Sequence, residues 1–291
     1  MREPRSGSLA LALAVGVVAV SFAAICFRKA APTHPLAMSG IRLALAALLL
    51  SPFLLRARRA GRMPGGLFRA ALAAGGFYAV HFGAWVWSLT LTSVAASVTL
   101  VTATPILVGV AALVTGRDRP TRRVWVAIGL AVVGLVVVGG NDLAVSPEAL
   151  LGDGLALLGA AAMAGYLLLA RRLGEVDVPA FMCVACAVAA GLLLGLGAAW
   201  GVDLMPSSRS AFLWILLAAL LPQLVGHQLL TWALRKASPT IVGMATVGEP
   251  VVSTALGFLM LGEVVDTGTA LGCGITLAAV LLALPRPARA A

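Results

Sequence analysis

Long apolar segments constrain the fold of this chain more than any other feature of its sequence. Ten of them are long enough to cross the roughly 30 Å hydrocarbon core of a bilayer as helices, and short connections join them. Only 11% of the 291 residues are charged, against about 25% in a soluble domain. The sequence therefore predicts an all-α integral membrane protein. Its predicted spans 1 to 10 are 9–27, 35–55, 68–91, 94–115, 123–140, 152–170, 180–200, 211–233, 240–261 and 267–284.

The basic residues predict how the chain is oriented in the membrane. Cytoplasmic loops of membrane proteins are enriched in Lys and Arg. With a cytoplasmic N-terminus, 17 basic residues fall inside and three fall outside, namely Arg28, Lys29 and Arg209. This predicts a multi-pass protein of the bacterial plasma (inner) membrane with both termini cytoplasmic, and it explains the net charge of +10 without a nucleic-acid partner. The inner residues are Arg2, Arg5, Arg56, Arg58, Arg59, Arg62, Arg69, Arg117, Arg119, Arg122, Arg123, Arg171, Arg172, Arg235, Lys236, Arg286 and Arg289.

The two halves of the chain resemble each other at a shift of 145 residues. This shift places "WSLTLTS" at 87–93 on "WALRKAS" at 232–238, and it places Pro105 on Pro250. Because five spans per half is an odd number, the halves would insert in opposite orientations, as in many secondary transporters with a central cavity. We therefore predict two five-helix inverted-topology repeats around such a cavity. The predicted order is a cytoplasmic tail at 1–8, repeat 1 at 9–140, repeat 2 at 152–284 and a cytoplasmic tail at 285–291.

Two longer stretches resemble the paired signatures of a known family. They are "HFGAWVWSLTLTSVAASVTLVTATPILVGVAAL" at 81–113 and "GHQLLTWALRKASPTIVGMATVGEPVVSTALGFLMLGE" at 226–263. The chain is similar to EamA-type transporters of the drug/metabolite transporter (DMT) superfamily, whose second half ends in E-P and then L-G-E. The first half departs from this pattern, because Asp118 stands where L-G-E has its acid. The resemblance implies a ten-span transporter that exports or exchanges amino acids, drugs or other small metabolites, and it leaves the substrate open. No cofactor is predicted.

Polar side chains recur at helical spacing in three of the predicted spans. Residues three or four apart share one helix face, and a polar face is costly against lipid. We therefore predict that these faces line a cavity between the helices. The three stripes are Tyr78, His81 and Trp85 in span 3, Gln223, His227 and Thr231 in span 8, and Thr246, Glu249 and Ser253 in span 9.

The first two stripes are the predicted substrate-binding residues. Their histidines occupy nearly equivalent positions in the two halves, with His81 nearer the outer face and His227 nearer the inner face. The two imidazoles could titrate at opposite ends of one path, or each could be hydrogen-bonded between helices. No metal site is predicted, because no further ligands cluster with them.

Glu249 is the one carboxylate deep within a predicted span, and Arg42 is the one deep cation. A charge at that depth costs about 2.5 kcal/mol or more, so Glu249 is either protonated or paired. Helical rise places Glu249 somewhat deeper than Arg42, and both side chains are long enough to meet if spans 2 and 9 are neighbours. We therefore predict an Arg42–Glu249 pair, and we assign both residues to charge or proton coupling.

Proline occurs in the middle of span 4 at Pro105 and of span 9 at Pro250. Each removes a backbone hydrogen bond and kinks its helix, and the freed carbonyls need protein or a cavity around them. We predict that Pro105 and Pro250, with Thr246 and Ser253, line the cavity or gate it. Paired kinks could flex with the gate or could shape a static basket.

Glycine pairs of the form G-x-x-x-G favour close approach of membrane helices. Gly191 and Gly195 form one pair in span 7, and Gly268 and Gly272 form another in span 10. We predict that they pack within a monomer, with a weak homodimer as the alternative.

These features together predict a secondary active or facilitative transporter that exports small metabolites such as amino acids by alternating access. The predicted partners are a small-molecule substrate and the lipid bilayer, with protons as a candidate coupling ion. One alternative is proton-coupled efflux of cationic or amphipathic drugs, with Glu249 as the counter-charge. An intramembrane enzyme is an alternative from another class, but the acids outside the spans are dispersed and no ATP-binding loop motif occurs.

Overall fold

The computed structural model describes residues 6–92, 94–139, 146–174, 176–262 and 264–284. Arg2, Arg5, Arg286, Arg289 and Glu263, which the predictions above include, lie outside these ranges. Each predicted span corresponds to helix, continuous or interrupted by a short turn, over its described residues, which confirms the all-α fold. In chain order the helices are α1 Ser6–Ala30, α2 Pro35–Arg59, α3 Gly65–Leu91, α4 Val94–Val101, α5 Thr104–Thr115, α6 Arg122–Gly139, α7 Pro147–Arg172, α8 Val178–Ala199, α9 Arg209–Ala218, the π-helical segment π1 Ala219–His227, α10 Gln228–Ala233, α11 Pro239–Thr246, α12 Glu249–Leu261 and α13 Thr267–Ala283.

Length and composition identify the strongest membrane spans among these helices. Within the described ranges, seven stretches are long and apolar enough to cross a membrane: Ser8–Ala30, Pro35–Arg59, Ala96–Thr115, Pro147–Arg172, Val178–Ala199, Arg209–Ala233 and Pro239–Leu261. Spans 3, 5 and 10 correspond to α3, α6 and α13. Helix α3 is long enough, at 27 residues, but its polar stripe makes it less apolar than the seven stretches above. Helix α13 is apolar but shorter, at 17 residues.

Local capping explains where several helices begin. Ser146, Asp177, Ser208, Ser238 and Asp266 each precede a helix and accept a hydrogen bond from a backbone N–H of its first turn. Such caps satisfy donors that have no partner inside the helix. Proline follows the cap in α7 and α11, where its missing N–H costs nothing.

The two halves pack with approximate two-fold symmetry. Spans 2 and 7 pack against each other, and so do spans 4 and 9 and spans 5 and 10. The contact between spans 3 and 6 is matched by the contact between spans 8 and 1. Exchanging each span with its counterpart in the other half therefore preserves this pattern, as expected for two related repeats.

Polar contacts place alternate loops at opposite ends of the bundle. Arg62 and Asp177 are 2.8 Å apart and join the loops after spans 2 and 6. Arg171 lies 3.4 Å from Asp118 and donates to the Leu234 carbonyl, which adds the loops after spans 4 and 8. We call this end the arginine-rich face.

At the opposite end the loops after spans 1 and 7 meet. The Ser207 backbone N–H donates to Thr33 Oγ1, and the Thr33 hydroxyl bonds to Ser207 Oγ, both at 3.0 Å. Consecutive spans therefore run in opposite directions, and five per repeat gives the inverted topology. The bonds at both ends join repeat 1 to repeat 2.

The predicted G-x-x-x-G pair of span 7 does not mark a close approach between helices, whereas Gly75 of span 3 does. A Cβ atom at Gly191 or Gly195 would meet no other group within 4 Å, so this pair does not pack inside the monomer. A Cβ at Gly75 would lie 2.5 Å from Val188 Cβ and 2.8 Å from the Ala185 carbonyl oxygen. Gly75 therefore sets the distance between α3 and α8.

The substitution Gly75→Ala should lower the free energy of unfolding by about 1–3 kcal/mol, because the backbone of α8 blocks the added methyl group. Gly76→Ala is the matched control, since a Cβ there meets nothing within 4 Å and alanine favours the helix. Thermal unfolding of the purified protein in detergent would compare the two variants. Equal stability of both variants would contradict the assigned contact.

Candidate functional site

Spans 4 and 9 are interrupted at equivalent positions near their centres. Residues 102 and 103 form a turn between α4 and α5, and residues 247 and 248 form a turn between α11 and α12. In both cases the new helix starts one residue before the proline, at Thr104 and at Glu249. The sequence predicted kinks in continuous helices. The structure has breaks instead, because proline cannot donate to the preceding turn and each helix starts anew.

These breaks aim two helix N-termini at one cavity between the repeats. Thr104 and Glu249, which the 145-residue shift places on each other, both line it. The positive end of a helix dipole offsets part of the cost of a carboxylate such as Glu249. Six of the predicted site residues lie on the cavity wall: His81, Trp85, His227, Thr231, Thr246 and Glu249.

The cavity has a volume of about 50 Å³. Pockets that hold drug-sized ligands measure about 300–1,000 Å³, whereas one water needs about 10–15 Å³. The conformation is therefore contracted around the site. A metabolite the size of an amino acid requires the wall to move outward.

Two histidines face this cavity with different surroundings. His81 Nδ1 lies 2.9 Å from the Gly159 carbonyl oxygen of α7. Because a carbonyl only accepts, Nδ1 carries the proton of this bond and Nε2 is the acceptor of a neutral ring. His227 contacts the rings of Tyr78 and Phe82 edge-on, with centroids at 5.9 and 5.2 Å. The predicted alternative of a hydrogen bond between helices is formed by His81. Both histidine rings pack against the ring of Phe82, so they lie close together and not at opposite ends of a path.

Trp85 extends the aromatic wall beside His81. Their rings stack with centroids 6.0 Å apart and planes inclined by 17°. The buried indole Nε1 has no hydrogen-bond partner among the described residues. It is thus an available donor next to the cavity.

Tyr166 of α7 lines the cavity but belongs to none of the three predicted polar stripes. Its hydroxyl bonds to Thr231 Oγ1 at 2.7 Å and to Met182 Sδ at 3.1 Å. Its ring stacks on Tyr78 with centroids 4.3 Å apart. Span 6 has no second polar residue at helical spacing to mark a stripe. The sequence offered one other signal for Tyr166, namely that tyrosine is rare in this chain, which contains two. Thr102, Thr104 and Met163 were also missed.

Tyr78, Gln223 and Arg42 lie behind the cavity wall and not on it. All three are fully buried. Arg42 Nη2 donates to Gln223 Oε1 at 2.5 Å, and its guanidinium lies 4.1 Å from the centroid of the Phe82 ring. Arg42 Nε and Nη1 have no hydrogen-bond partner within the described ranges.

The predicted Arg42–Glu249 pair is not formed in this structure. The ion pairs of the described residues do not include it, because Arg42 turns toward Gln223 while Glu249 faces the cavity. No hydrogen bond or ion pair engages the Glu249 carboxylate within the same ranges. The prediction required spans 2 and 9 to be neighbours, but α2 packs mainly on α8, α3 and π1 in the described ranges, and helical depth alone does not determine the direction of a side chain.

Three further predicted residues lie away from the central cavity. Ser253 donates to the Ser21 carbonyl at 3.1 Å and so joins α12 to α1. Pro105 packs beside Gly243 of α11, and Pro250 is buried in the first turn of α12. None of the three is on the wall of the central cavity.

The fold and the cavity define an all-α, multi-pass membrane protein built from two related repeats. The family model described as "EamA-like transporter family" matches residues 7–140 and again residues 150–284. The chain therefore belongs to the EamA-like transporter family, and it is a membrane transporter of the DMT type. No curated protein matches the chain in sequence.

A solved structure described only as "Crystal structure of protein" has a similar fold. It superposes with a TM-score of 0.77 at 18% identity and covers 96% of this chain and 97% of that chain. At this identity the likeness concerns the fold alone.

Proposed function

We propose that this protein is a secondary transporter that exports small amphipathic metabolites, such as amino acids, by alternating access. One observation carries the proposal: a contracted cavity between the repeats is lined by both of them, at the point where two broken helices begin. Broken helices at a repeat interface are where secondary transporters bind their substrates. Export as the direction rests on the family resemblance.

The wall of the cavity supports separate roles for its residues. His81, Trp85 and Tyr166 offer ring surfaces to an apolar or aromatic moiety. His227, Thr231 and Thr246 offer hydrogen bonds, and the Glu249 carboxylate suits an ammonium group or a proton. Tyr78 supports Tyr166 from behind through ring stacking.

Arg42 is the proposed partner for a substrate carboxylate. Its two unsatisfied nitrogen atoms are buried beside Phe82, behind the wall. Outward movement of Phe82 would bring them to the enlarged cavity, with Gln223 holding the guanidinium in place. A zwitterion could then be bound between Arg42 and Glu249, which form no ion pair with each other in this structure.

A second candidate function is proton-coupled efflux of cationic drugs. It is favoured by the Glu249 carboxylate, which faces the cavity with no protein partner among the described residues while Arg42 stays behind the wall. In that case proton and cationic substrate would compete for one carboxylate.

The proposed location is the bacterial plasma membrane, with both termini cytoplasmic. It is supported by the 17 to 3 distribution of basic residues and by the meeting of the loops after spans 2, 4, 6 and 8 at the arginine-rich face. We propose a monomer as the transporting unit, because spans of both repeats of one chain, namely spans 1, 3, 4, 6, 8 and 9, line the cavity.

The test is a comparison of extracellular metabolites from cells that produce equal amounts of wild type, Glu249→Gln and His81→Ala. We expect one class of compound to accumulate outside with wild type and to fall at least about tenfold in both variants, since each removes a polar group from the wall. Accumulation of cationic drugs alone would favour the second candidate. Unchanged export in both variants would contradict the assigned site.

A further inference from the structure

A second, smaller cavity lies at the arginine-rich face, between α5, α7 and α11. Its polar lining includes Arg117, Asp118, Arg171, Arg172 and Thr240. Its volume is about 40 Å³, which corresponds to about three oxygen-sized atoms at the space that one water needs. It is separate from the central cavity and shares no lining residue with it.

The hydroxyl group of Thr240 points to a missing acceptor at this place. Thr240 is 1% exposed, and its Oγ1 has no hydrogen-bond partner within the described ranges. A buried hydroxyl without a partner costs about 1–3 kcal/mol. Almost every buried polar group in a folded protein is bonded, so this hydroxyl is a donor available to an acceptor that enters the cavity.

Helix α11 adds donors of the same kind. Ser238 caps the helix by accepting from the Ile241 N–H, and Pro239 follows it. Thr240 is thus in the first turn, where backbone N–H groups have no partner inside the helix. Such N-termini favour anions.

The charges that line the cavity agree with an anionic ligand. Three arginines and one aspartate give a formal charge of +2. Asp118 is already engaged by Arg171, at 3.4 Å, whereas Arg117 and Arg172 are exposed at the rim. A guanidinium group can donate two parallel N–H···O hydrogen bonds to a phosphate group.

We infer that this cavity binds a phosphate group, carried either by an anionic lipid or by a soluble molecule on the arginine-rich side. Thr240 donates to a phosphate oxygen inside the cavity, and the rim arginines bind the outer oxygens. The bound group joins α5 of repeat 1 to α7 and α11 of repeat 2. It therefore stabilises the conformation described here, in which these three helices lie together around the cavity. The inference does not depend on the transported substrate.

The experiment uses the full chain in nanodiscs of neutral phosphatidylcholine. One arm titrates inorganic phosphate, and the other replaces part of the neutral lipid with phosphatidylglycerol. The readout is the apparent affinity obtained from the rise in thermal unfolding temperature. Native mass spectrometry of the phosphatidylglycerol samples counts retained lipids.

Thr240→Val removes the hydroxyl and keeps the shape of the side chain, so it should fold without loss of stability. We expect it and Arg172→Gln each to weaken binding about tenfold, while Thr240→Ser retains binding. Arg59→Gln is the matched control, because it removes an exposed arginine of the same face away from the cavity.

The arms separate the two sources of the ligand. Binding of inorganic phosphate supports a soluble ligand, and binding of phosphatidylglycerol alone supports a lipid headgroup. In either case the binding must be weakened by Thr240→Val. If neither probe binds, or if Arg59→Gln weakens binding as much as Arg172→Gln, the site does not exist as described.

Discussion

Substitution of Glu249 by glutamine is expected to abolish substrate accumulation driven by a proton gradient while substrate exchange continues. Glutamine keeps the size and the hydrogen-bonding capacity of the side chain but cannot carry a proton or a negative charge. The Glu249 carboxylate lies on the cavity wall at the first turn of α12. Intramembrane carboxylates of this kind serve as proton relays in pumps and transporters.

The measurement uses proteoliposomes loaded with the substrate that the metabolite comparison identifies. Gradient-driven transport should fall at least about tenfold in Glu249→Gln, the size of effect expected when a charged hydrogen bond is lost. Counterflow of labelled against unlabelled substrate should change much less if Glu249 carries the coupling proton, because exchange requires no net proton movement. An equal loss of counterflow would instead assign Glu249 to the ammonium group of the substrate.

Thr104→Val provides a control at the symmetric position. Thr104 starts α5 as Glu249 starts α12, and it lines the same cavity without a charge. This variant should retain gradient-driven transport. If Thr104→Val loses it as fully as Glu249→Gln does, the effect comes from the shape of the broken helices. Proton coupling would then require another group.

The sequence predicted the helices well because hydropathy and membrane thickness limit the choices. It was less accurate at helix ends. Span 6 was predicted at 152–170, but α7 runs from Pro147 to Arg172. The extra turn begins with the cap Ser146, a proline and Glu148, which favour a helix start but lower the local hydropathy. At the other end Arg171 and Arg172 continue the helix beyond the apolar segment, where long side chains reach the aqueous side.

Helical spacing predicted which faces turn inward, but not how far inward each residue lies. His81 and Trp85 reach the cavity, whereas Tyr78 on the same stripe of α3 packs against Tyr166 behind it. Gln223 similarly lies one turn from His227 but bonds to Arg42. A stripe along a tilted helix meets different neighbours at each turn, and the sequence of one helix does not contain that information.

The breaks in spans 4 and 9 were partly predictable. Proline at equivalent positions indicated a disturbed backbone in both halves. Whether the hydrogen-bond ladder continues past a proline depends on the groups packed around it, which the local sequence does not specify. The equivalence of Thr104 and Glu249 could have been found by extending the repeat comparison by one residue from Pro105 and Pro250.

The substitution Arg42→Met is expected to remove transport of carboxylates without destabilising the protein. Burial of an ion costs several kcal/mol, and the Arg42 guanidinium has one hydrogen bond, to Gln223, with Nε and Nη1 unsatisfied among the described residues. Contacts with Phe27 and Phe82 offset part of this cost. A group that weakens the fold in this way is best explained by a requirement for function.

The control for stability is the double variant Arg42→Met/Gln223→Leu. The single substitution leaves Gln223 Oε1 without its donor, which costs about 1–3 kcal/mol, so its net effect on the free energy of unfolding should be small. The double variant removes both polar partners and should be more stable than wild type by about 1–4 kcal/mol. Thermal unfolding in detergent would measure the relative stability of wild type, the single variant and the double variant.

Transport assays then decide what Arg42 binds. For an amino acid, Arg42→Met should raise the apparent KM at least about tenfold, and the amino acid amide, which has no carboxylate, should be transported equally by wild type and variant. Equal losses for acid and amide would mean that Arg42 acts on the shape of the cavity. Loss of stability in the double variant would mean that the guanidinium holds α2 and π1 together through Gln223, and its burial would then be structural.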